Sequence, residues 1–532
     1  MTGSINKDKL SFIKTMTDEL KLFAFFAVYL ISWTLCAEFL PSASELDSTE
    51  QVVWSQSWQW GYYKHPPLPS LLLYVLNGLF GGPSKGLNAF AAQGCNVLAL
   101  FYVWLLAKQI VSRKLAIVAV LITSLIAYHN FRAFPFNHNT VSLPFTAAAC
   151  YYFYRAVQIP ERWLNWLLLG LVCGLAMLTK YSILLIIASF FGVILWGRLF
   201  KSPRVILGLL LSIAVFLLII SPHVYWLAEN NWRPFHYLQD KLTVSGNIAS
   251  ILFGFMMTQL IRLSFAVPTL LGIWIFIKTG RINKVEWDKV EWDKVEWGID
   301  RSTDQASFDR HFLWIILFTP LILALLQLFL LGSELNSNWI SAFFLPSGIL
   351  LTVIFFKDWD STQLLKKVFL LTWITQAVLL IFFFALAVIY PNQVGSASRL
   401  TFPGQALADN VNEIWRSHQS APLTIIISDY WSGGNVSLYT RPEPFVRIEN
   451  SIEKSPWVTE QDVRACGAFV LVNQAEITET FKLLLTQSIV KGEFVLPWGY
   501  APKGKDLHYL WAIKAPDPNE VACRFSLNKL HD

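Results

Sequence analysis

The sequence predicts an all-α polytopic membrane domain followed by a C-terminal α/β soluble domain. Three observations carry this. Apolar residues make up 54% of the 532-residue chain. Charged residues make up only 15%, against about 25% in an average soluble protein. The charge is also unevenly placed: residues 392–532 hold 13 Lys/Arg and 15 Asp/Glu, whereas the 391 residues before them hold 29 and 21. A soluble surface needs more charge than the first part carries, and a disordered chain would be far less hydrophobic. The net charge of +6 reads as a membrane-orientation signal, so no nucleic-acid partner is expected.

These numbers divide the chain into a membrane part, 1–391, and a soluble part, 392–532. Apolar runs of roughly 20 residues, enough to cross the hydrocarbon, recur near 20–41, 86–107, 113–130, 139–158, 162–180, 181–200, 203–227, 250–277, 311–332, 340–357 and 367–391. Segment 66–82 begins with Pro66-Pro67 and ends with Gly81-Gly82, so it reads as a helix lying at the membrane surface. With the N-terminus cytoplasmic, 22 of the 29 basic residues fall on the inner side. The seven exceptions are Lys64, Lys85, Arg132, Lys180, Arg233, Lys241 and Arg262. The bias places the first loop, 42–85, and the domain 392–532 on the outer face, which is periplasmic in a bacterial inner membrane. The N-terminal Lys residues and apolar run read as an anchor, because no small-residue cleavage site follows.

Cys36, Cys95, Cys150 and Cys173 lie in spans and read as packing residues. Cys466 and Cys523 are an even pair that an oxidising compartment would allow to bond, although spacing alone does not decide it. Segment 284–298 repeats Lys-Val-Glu-Trp three times in an expected inner loop. Its five-residue period is neither helical nor that of a solenoid, which favours slippage of a coding repeat over a binding tail. In 392–532, strands are expected at 423–428, 443–448, 467–472, 491–496 and 508–514, with helices near 404–418 and 475–487. Gly433-Gly434 reads as a turn.

Chemistry concentrates in the first outer loop. Glu45, Asp47 and Glu50 precede a Trp-rich stretch in which Trp54, Trp58 and Tyr62 recur every four residues, the spacing of one helical face. Gly61-Tyr62-Tyr63-Lys64-His65-Pro66-Pro67 follows. Trp and Tyr favour the headgroup level, so acids and Lys/His are expected together at the outer membrane surface. Carboxylates there act as general bases or hold a divalent cation, and Lys and His neutralise phosphate. The plainer reading is a solvated loop, but two prolines fix the backbone directly after two cationic donors. Lys180, at an outer span end with no acid nearby in sequence, reads as functional or as snorkelling. Arg262 interrupts the run 250–277 and requires a partner, either a lipid phosphate or a structural ion pair. His138 and His223 stand at span mouths, where capping or hydrogen bonding explains them without a metal.

The run from Leu46 to Leu72 resembles the first outer loop of bacterial glycosyltransferase family 39 proteins, the protein-O-mannosyltransferase and aminoarabinose-transferase-like members of the GT-C class. The shared pattern is Asp-x-x-Glu, an aromatic stretch, then Gly-Tyr-Tyr-x-His-Pro-Pro-Leu. Phe136-Asn137-His138-Asn139-Thr140, the Leu-Thr-Lys motif at Leu178-Thr179-Lys180, Ser221-Pro222-His223 through Trp226, and Asp429-Tyr430-Trp431 through Asn435 and Tyr439 fit as well.

The resemblance implies a GT-C-like bundle of about eleven transmembrane helices, with amphipathic surface helices in the first outer loop. It implies an inverting transferase that takes a sugar from a polyprenyl phosphate to a lipid A or glycolipid, polysaccharide or protein acceptor. By it, Asp47 sits at the active centre, either as the catalytic base assisted by Glu50 or as the group that places the acceptor. Lys64, His65 and Lys180, with Arg262 added from its position, bind the donor phosphate, and Tyr62, Tyr63, His138, Asn139 and His223 line the substrate. Many relatives carry a second acid where this chain has Asn137, His138 and Asn139. A divalent cation, the one cofactor considered, would therefore have to do without that carboxylate. The rival readings are a lipid-sugar transporter or flippase and a glycan ligase of similar architecture.

Overall fold

A computed structural model of the chain describes residues 2–130, 132–242, 247–284, 303–331, 337–395, 397–498, 505–520 and 522–526. Of the repeat at 284–298, all but Lys284 lies outside the described residues. The chain forms two compact units. One comprises residues 1–33, 92–134 and 138–380; the other comprises 34–91, 135–137 and 381–532.

The first unit is helical. Its helices are α1 (Thr2–Phe39, up to Trp33), then, after α2 (Leu46–Trp54) and α3 (Leu68–Phe80) of the second unit, α4 (Lys85–Ile110, from Ala92) and α5 (Arg113–Ser124). There follow α6 (His138–Gln158), α7 (Trp163–Thr179), α8 (Ile183–Trp196), α9 (Pro203–Glu229), α10 (Arg233–Leu242), α11 (Ile248–Ser264), α12 (Val267–Lys278), α13 (Thr303–Leu331), α14 (Ser347–Phe355) and most of α15 (Ser361–Phe384). Among the described residues five helices are individually long and apolar enough to cross a membrane. Two bent pairs, α11 with α12 and residues 337–344 with α14, raise the number to seven. Other expected spans appear as shorter helices: α5 has 12 residues, α8 has 14 and α7 has 17. Their apolar runs are continuous in sequence, but hydropathy does not register the turns that divide them. The protein is a multi-pass membrane protein by these helices.

Local signals account for the helix ends. Pro203 opens α9 after Ser202, where its missing N–H costs nothing. The Asn247 side chain caps α11 by accepting from the Ala249 N–H. Glycines set the close contacts. A Cβ on Gly208 of α9 would stand 2.2 Å from the Trp166 ring of α7, and one on Gly170 would stand 2.4 Å from the Ser212 carbonyl. The two backbones therefore approach as small-residue helix pairs in membranes do. Gly348 of α14 lies equally close to the Ala119 carbonyl of α5.

The second unit holds α16 (Tyr390–Val394), α17 (Gly404–His418), β1 (Ile425–Ser428), α18 (Tyr430–Tyr439), β2 (Phe445–Ile448), α19 (Glu460–Cys466), β3 (Ala468–Asn473), α20 (Glu479–Gln487), β4 (Val490–Trp498) and β5 (Lys505–Lys514). The five expected strands and both expected helices are present. The sheet order is β2-β1-β3-β5-β4, with β1 parallel to β2 and β3, and β5 antiparallel to β3 and β4. β1 is buried on both faces, hence its unbroken Ile-Ile-Ile. Cys466 and Cys523 form a disulfide, with Cα atoms 4.6 Å apart.

Three local expectations need correction. Gly433-Gly434 is not a turn but lies inside α18. A Cβ on Gly434 would meet Thr49 of α2 at 2.5 Å, and one on Gly433 would meet Val446 of β2 at 2.8 Å, so this helix is squeezed between α2 and the sheet. Second, the plainer reading of a solvated loop does not hold for α2: Ser48 to Trp54 are all buried. Third, Trp54, Trp58 and Tyr62 do not share a helical face. The helix ends at Trp54, and Tyr62 folds back to stack on it with ring centroids 4.8 Å apart and planes 6° from parallel. Trp54 and Tyr62 belong to the same apolar core as Val436, Trp457 and the strands. Trp58 alone remains on the surface.

Candidate active site

The Asp-x-x-Glu spacing puts Asp47 and Glu50 about one turn apart on α2. Their surroundings differ. Asp47 is exposed, in the first turn, where the helix N-terminus favours a negative charge. Its Oδ2 accepts a hydrogen bond from the Asn137 side chain at 3.1 Å. Ser48 Oγ accepts from the Phe136 N–H at 2.9 Å, so the segment Pro135–Asn137 is tied to the start of α2.

Glu50 is 6% exposed and forms a 2.5 Å ion pair with Lys64. The Lys64 ammonium also stands 4.6 Å from the Tyr430 ring and 5.1 Å from Tyr63. Burial alone would lower the Lys64 ammonium, but the Glu50 carboxylate outweighs it and holds it above its usual range. Tyr62 donates to the Trp54 carbonyl at 2.9 Å. The His65 ring meets Trp54 edge-on at 6.1 Å, and its carbonyl accepts from the Tyr62 N–H. Two prolines after His65 start α3 and close this hairpin. Lys454, paired with Glu449, lies 5.6 Å from the Tyr63 ring.

A second cluster lies in the helical unit. Lys180 terminates α7 in an extended conformation and donates to the Asn139 side chain at 2.5 Å, with the Trp339 ring 5.9 Å away. Asn139 and His138 are the first residues of α6. His223 is buried and its Nε2 is 2.9 Å from the Tyr181 hydroxyl. Arg262 lies over the Tyr128 ring at 5.5 Å, while Tyr128 donates to Gln259 at 2.7 Å. Among the described residues no acid lies within ion-pair distance of Arg262, which removes the structural ion-pair reading of this arginine within that set.

The structure thus gathers Asp47, Glu50, Tyr62, Tyr63, Lys64 and His65 in one unit, and His138, Asn139, Lys180, His223 and Arg262 in the other. Within the first group Glu50 and Lys64 satisfy each other and Asp47 is left open. Residues 42–85 gave no sign of Tyr430 and Lys454 as neighbours. Only the Asp429-Tyr430-Trp431 stretch hinted at Tyr430, and nothing singled out Lys454. The residues do not fit a metal: Glu50 is neutralised by Lys64, and among the described residues no three His, Cys, Asp or Glu converge on one point.

Comparison with known proteins gives the fold and the kinship of the chain. Residues 64–226 match the family model described as dolichyl-phosphate-mannose-protein mannosyltransferase. The lipopolysaccharide core galacturonosyltransferases RgtA and RgtB of Rhizobium johnstonii are 27% identical over 208 residues and 28% over 262 residues. Those alignments cover 38% and 47% of this chain and 41% and 51% of the relatives, so the chain spans about half the length of the curated relatives it matches. Among solved structures, ArnT from Cupriavidus metallidurans bound to undecaprenyl phosphate aligns with a TM-score of 0.60 at 13% identity, over 93% of this chain and 99% of that one. The apo form of that ArnT aligns with a TM-score of 0.59 at 12% identity, over 94% and 99%. The fold is the GT-C fold, and the resemblance read from the first loop is borne out.

Proposed function

From this kinship with GT-C glycosyltransferases we propose that the chain is a polyprenyl-phosphate-sugar-dependent glycosyltransferase of a bacterial inner membrane, working at the outer face. The observation that carries the reading is the exposed Asp47 carboxylate. One of its oxygens is oriented by Asn137, and it stands on a helix anchored by the buried Glu50–Lys64 pair.

In the proposed reaction Asp47 takes the proton of an acceptor hydroxyl. The acceptor oxygen attacks the anomeric carbon, the bond from that carbon to the phosphate oxygen breaks, and the electron pair leaves with the polyprenyl phosphate. Attack opposite the leaving group inverts the anomeric centre. In the helical unit, Lys180, held by Asn139, and Arg262 are the cations proposed to bind a phosphate. Stabilisation of this kind is worth roughly 3 kcal/mol per donor. Glu50 serves the base indirectly, by keeping Lys64 charged and in position beside Tyr63 and Tyr430. Tyr62 and His65 brace the helix that carries Asp47 within their own unit, and His138 and His223 stand near Lys180 in the helical unit's sequence stretches assigned to substrate lining. The names of the two Rhizobium relatives support a uronic-acid sugar as donor and a lipopolysaccharide core as acceptor, and the ArnT complex supports undecaprenyl phosphate as carrier.

The test is transfer from a radiolabelled undecaprenyl-phosphate galacturonic acid to lipopolysaccharide by the purified protein. Asp47→Asn, eluting as a folded protein, is expected to lose transfer by about a hundredfold or more. Full turnover in that variant would remove Asp47 as base. Lipid-sugar movement across vesicles without transfer would replace the reading with that of a flippase.

A further inference from the structure

We propose that the free edge of the C-terminal sheet is a dimerisation site, at which β4 pairs antiparallel with β4 of a second copy of this chain about a two-fold axis through Gly492. The sheet order leaves β4 at an edge, with β5 on its other side. Side chains alternate along a strand, so Lys491, Glu493 and Val495 of β4 share one outward face, and Ile489 lies just before the strand. Ile489 is 98% exposed and Val495 51%, and both charged residues between them are exposed. Lys491 donates to the Leu485 carbonyl at 3.0 Å, and among the described residues neither it nor Glu493 has an ion pair.

This face reads apolar, positive, negative, apolar, which is self-complementary. A two-fold axis at Gly492 sets Lys491 opposite Glu493 of the second copy, twice over, and brings the exposed Ile489, just before the strand, toward Val495 of the second copy. Directly opposed charges and apolar pairs are the units of cross-strand stabilisation. Neighbouring registers lose this match. Centring on Glu493 puts like charges face to face, and centring on Phe494 sets Lys491 against Pro497. Isologous pairing of this kind is the commonest form of homodimer symmetry.

Exposed edges are usually blunted by Lys or Pro. Here the Lys491 charge would be left facing an apolar strand of any other protein, yet it is answered by the chain's own Glu493. Pro497, which has no N–H to donate, falls outside the paired strand stretch 490–494. A five-residue pairing is small, and confinement of both copies to one membrane raises their effective concentration.

The test is the mass of the full-length protein in detergent and in nanodiscs, measured by light scattering over a range of concentrations. The expected result is a dimer whose dissociation constant rises about tenfold or more in Lys491→Glu and returns in the Lys491→Glu/Glu493→Lys double variant, each eluting as a folded protein. A mixture of Lys491→Cys and Glu493→Cys proteins should crosslink on mild oxidation more than either alone or the wild type. A wild-type monomer at every concentration, or dimerisation unaltered in Lys491→Glu, would overturn the proposal. Neither result bears on the assignment of Asp47.

Discussion

Asp47 and Glu50 are both carboxylates on one short helix, and their fates are set by what reaches them. Glu50 is met by Lys64 from the far arm of the hairpin, and the pair is buried. Removing one member of a buried pair strands the other, at a cost of about 3 kcal/mol or more. Glu50→Gln and Lys64→Met are each expected to lower the unfolding temperature of the purified protein, and the double variant should lose less than the sum of the two. Additive losses in that cycle would mean that the two groups do not interact. Because Glu50 holds the Lys64 pKa above its ordinary value, the stabilisation from Lys64 is complete below that ordinary value and fades only as pH rises past it. Lys64→Met, however, leaves the Glu50 carboxyl, already pushed up by burial, without its counter-charge, so the penalty of that variant should grow as pH rises above the ordinary carboxylate range. The sequence made these residues candidates by type and spacing. It did not reveal the pairing, because a separation of fourteen positions gives no periodic sign of it.

At the scale of elements, the strands and the helix start after Pro66-Pro67 were legible because their signals are local. The reading of Trp54, Trp58 and Tyr62 failed because a stack of Trp54 on Tyr62 is a fold-back, and a four-residue spacing cannot distinguish it from a helix face. Gly433-Gly434 misled for a related reason. The pair marks a crossing where two backbones need room, and its neighbour Thr49 is nearly four hundred residues distant in sequence. The same logic predicts that Gly208→Leu will disrupt the α7–α9 contact, since Trp166 already occupies the space. Yield of folded protein in detergent is the measure, and normal yield would show the contact to be looser.

Near the end of the chain, Arg524 pairs with Asp462, which also accepts from Thr459. Burial would raise this carboxyl, but Arg524 and Thr459 hold it below its ordinary value. A depressed pKa stabilises above the unfolded value, and the gain is lost as pH falls through the folded one. Arg524→Ala should therefore lower the unfolding temperature at neutral pH and converge with the wild type in strong acid.

For the whole molecule, composition and the placement of basic residues established a membrane protein, and the GT-C fold agrees. How the apolar runs break into helices was not legible, because hydropathy sums over kinks. The orientation argued from 22 inner basic residues can be checked with Ser417→Cys, an exposed position on α17. A membrane-impermeant maleimide should label it in intact spheroplasts, and labelling only after lysis would invert the topology.

The second unit is assembled from three separate stretches, 34–91, 135–137 and 381–532. This has a consequence for biosynthesis. The ribosome delivers α2 with Asp47 early, but the strands that bury Trp54 and Val53 come from the last stretch. Roughly 290 residues lie between the first stretch and the last, of the order of 15–60 s of translation. Throughout that interval the newborn loop waits unfolded, with its aromatic residues uncovered, and a chain stalled or truncated before its final segment never buries them.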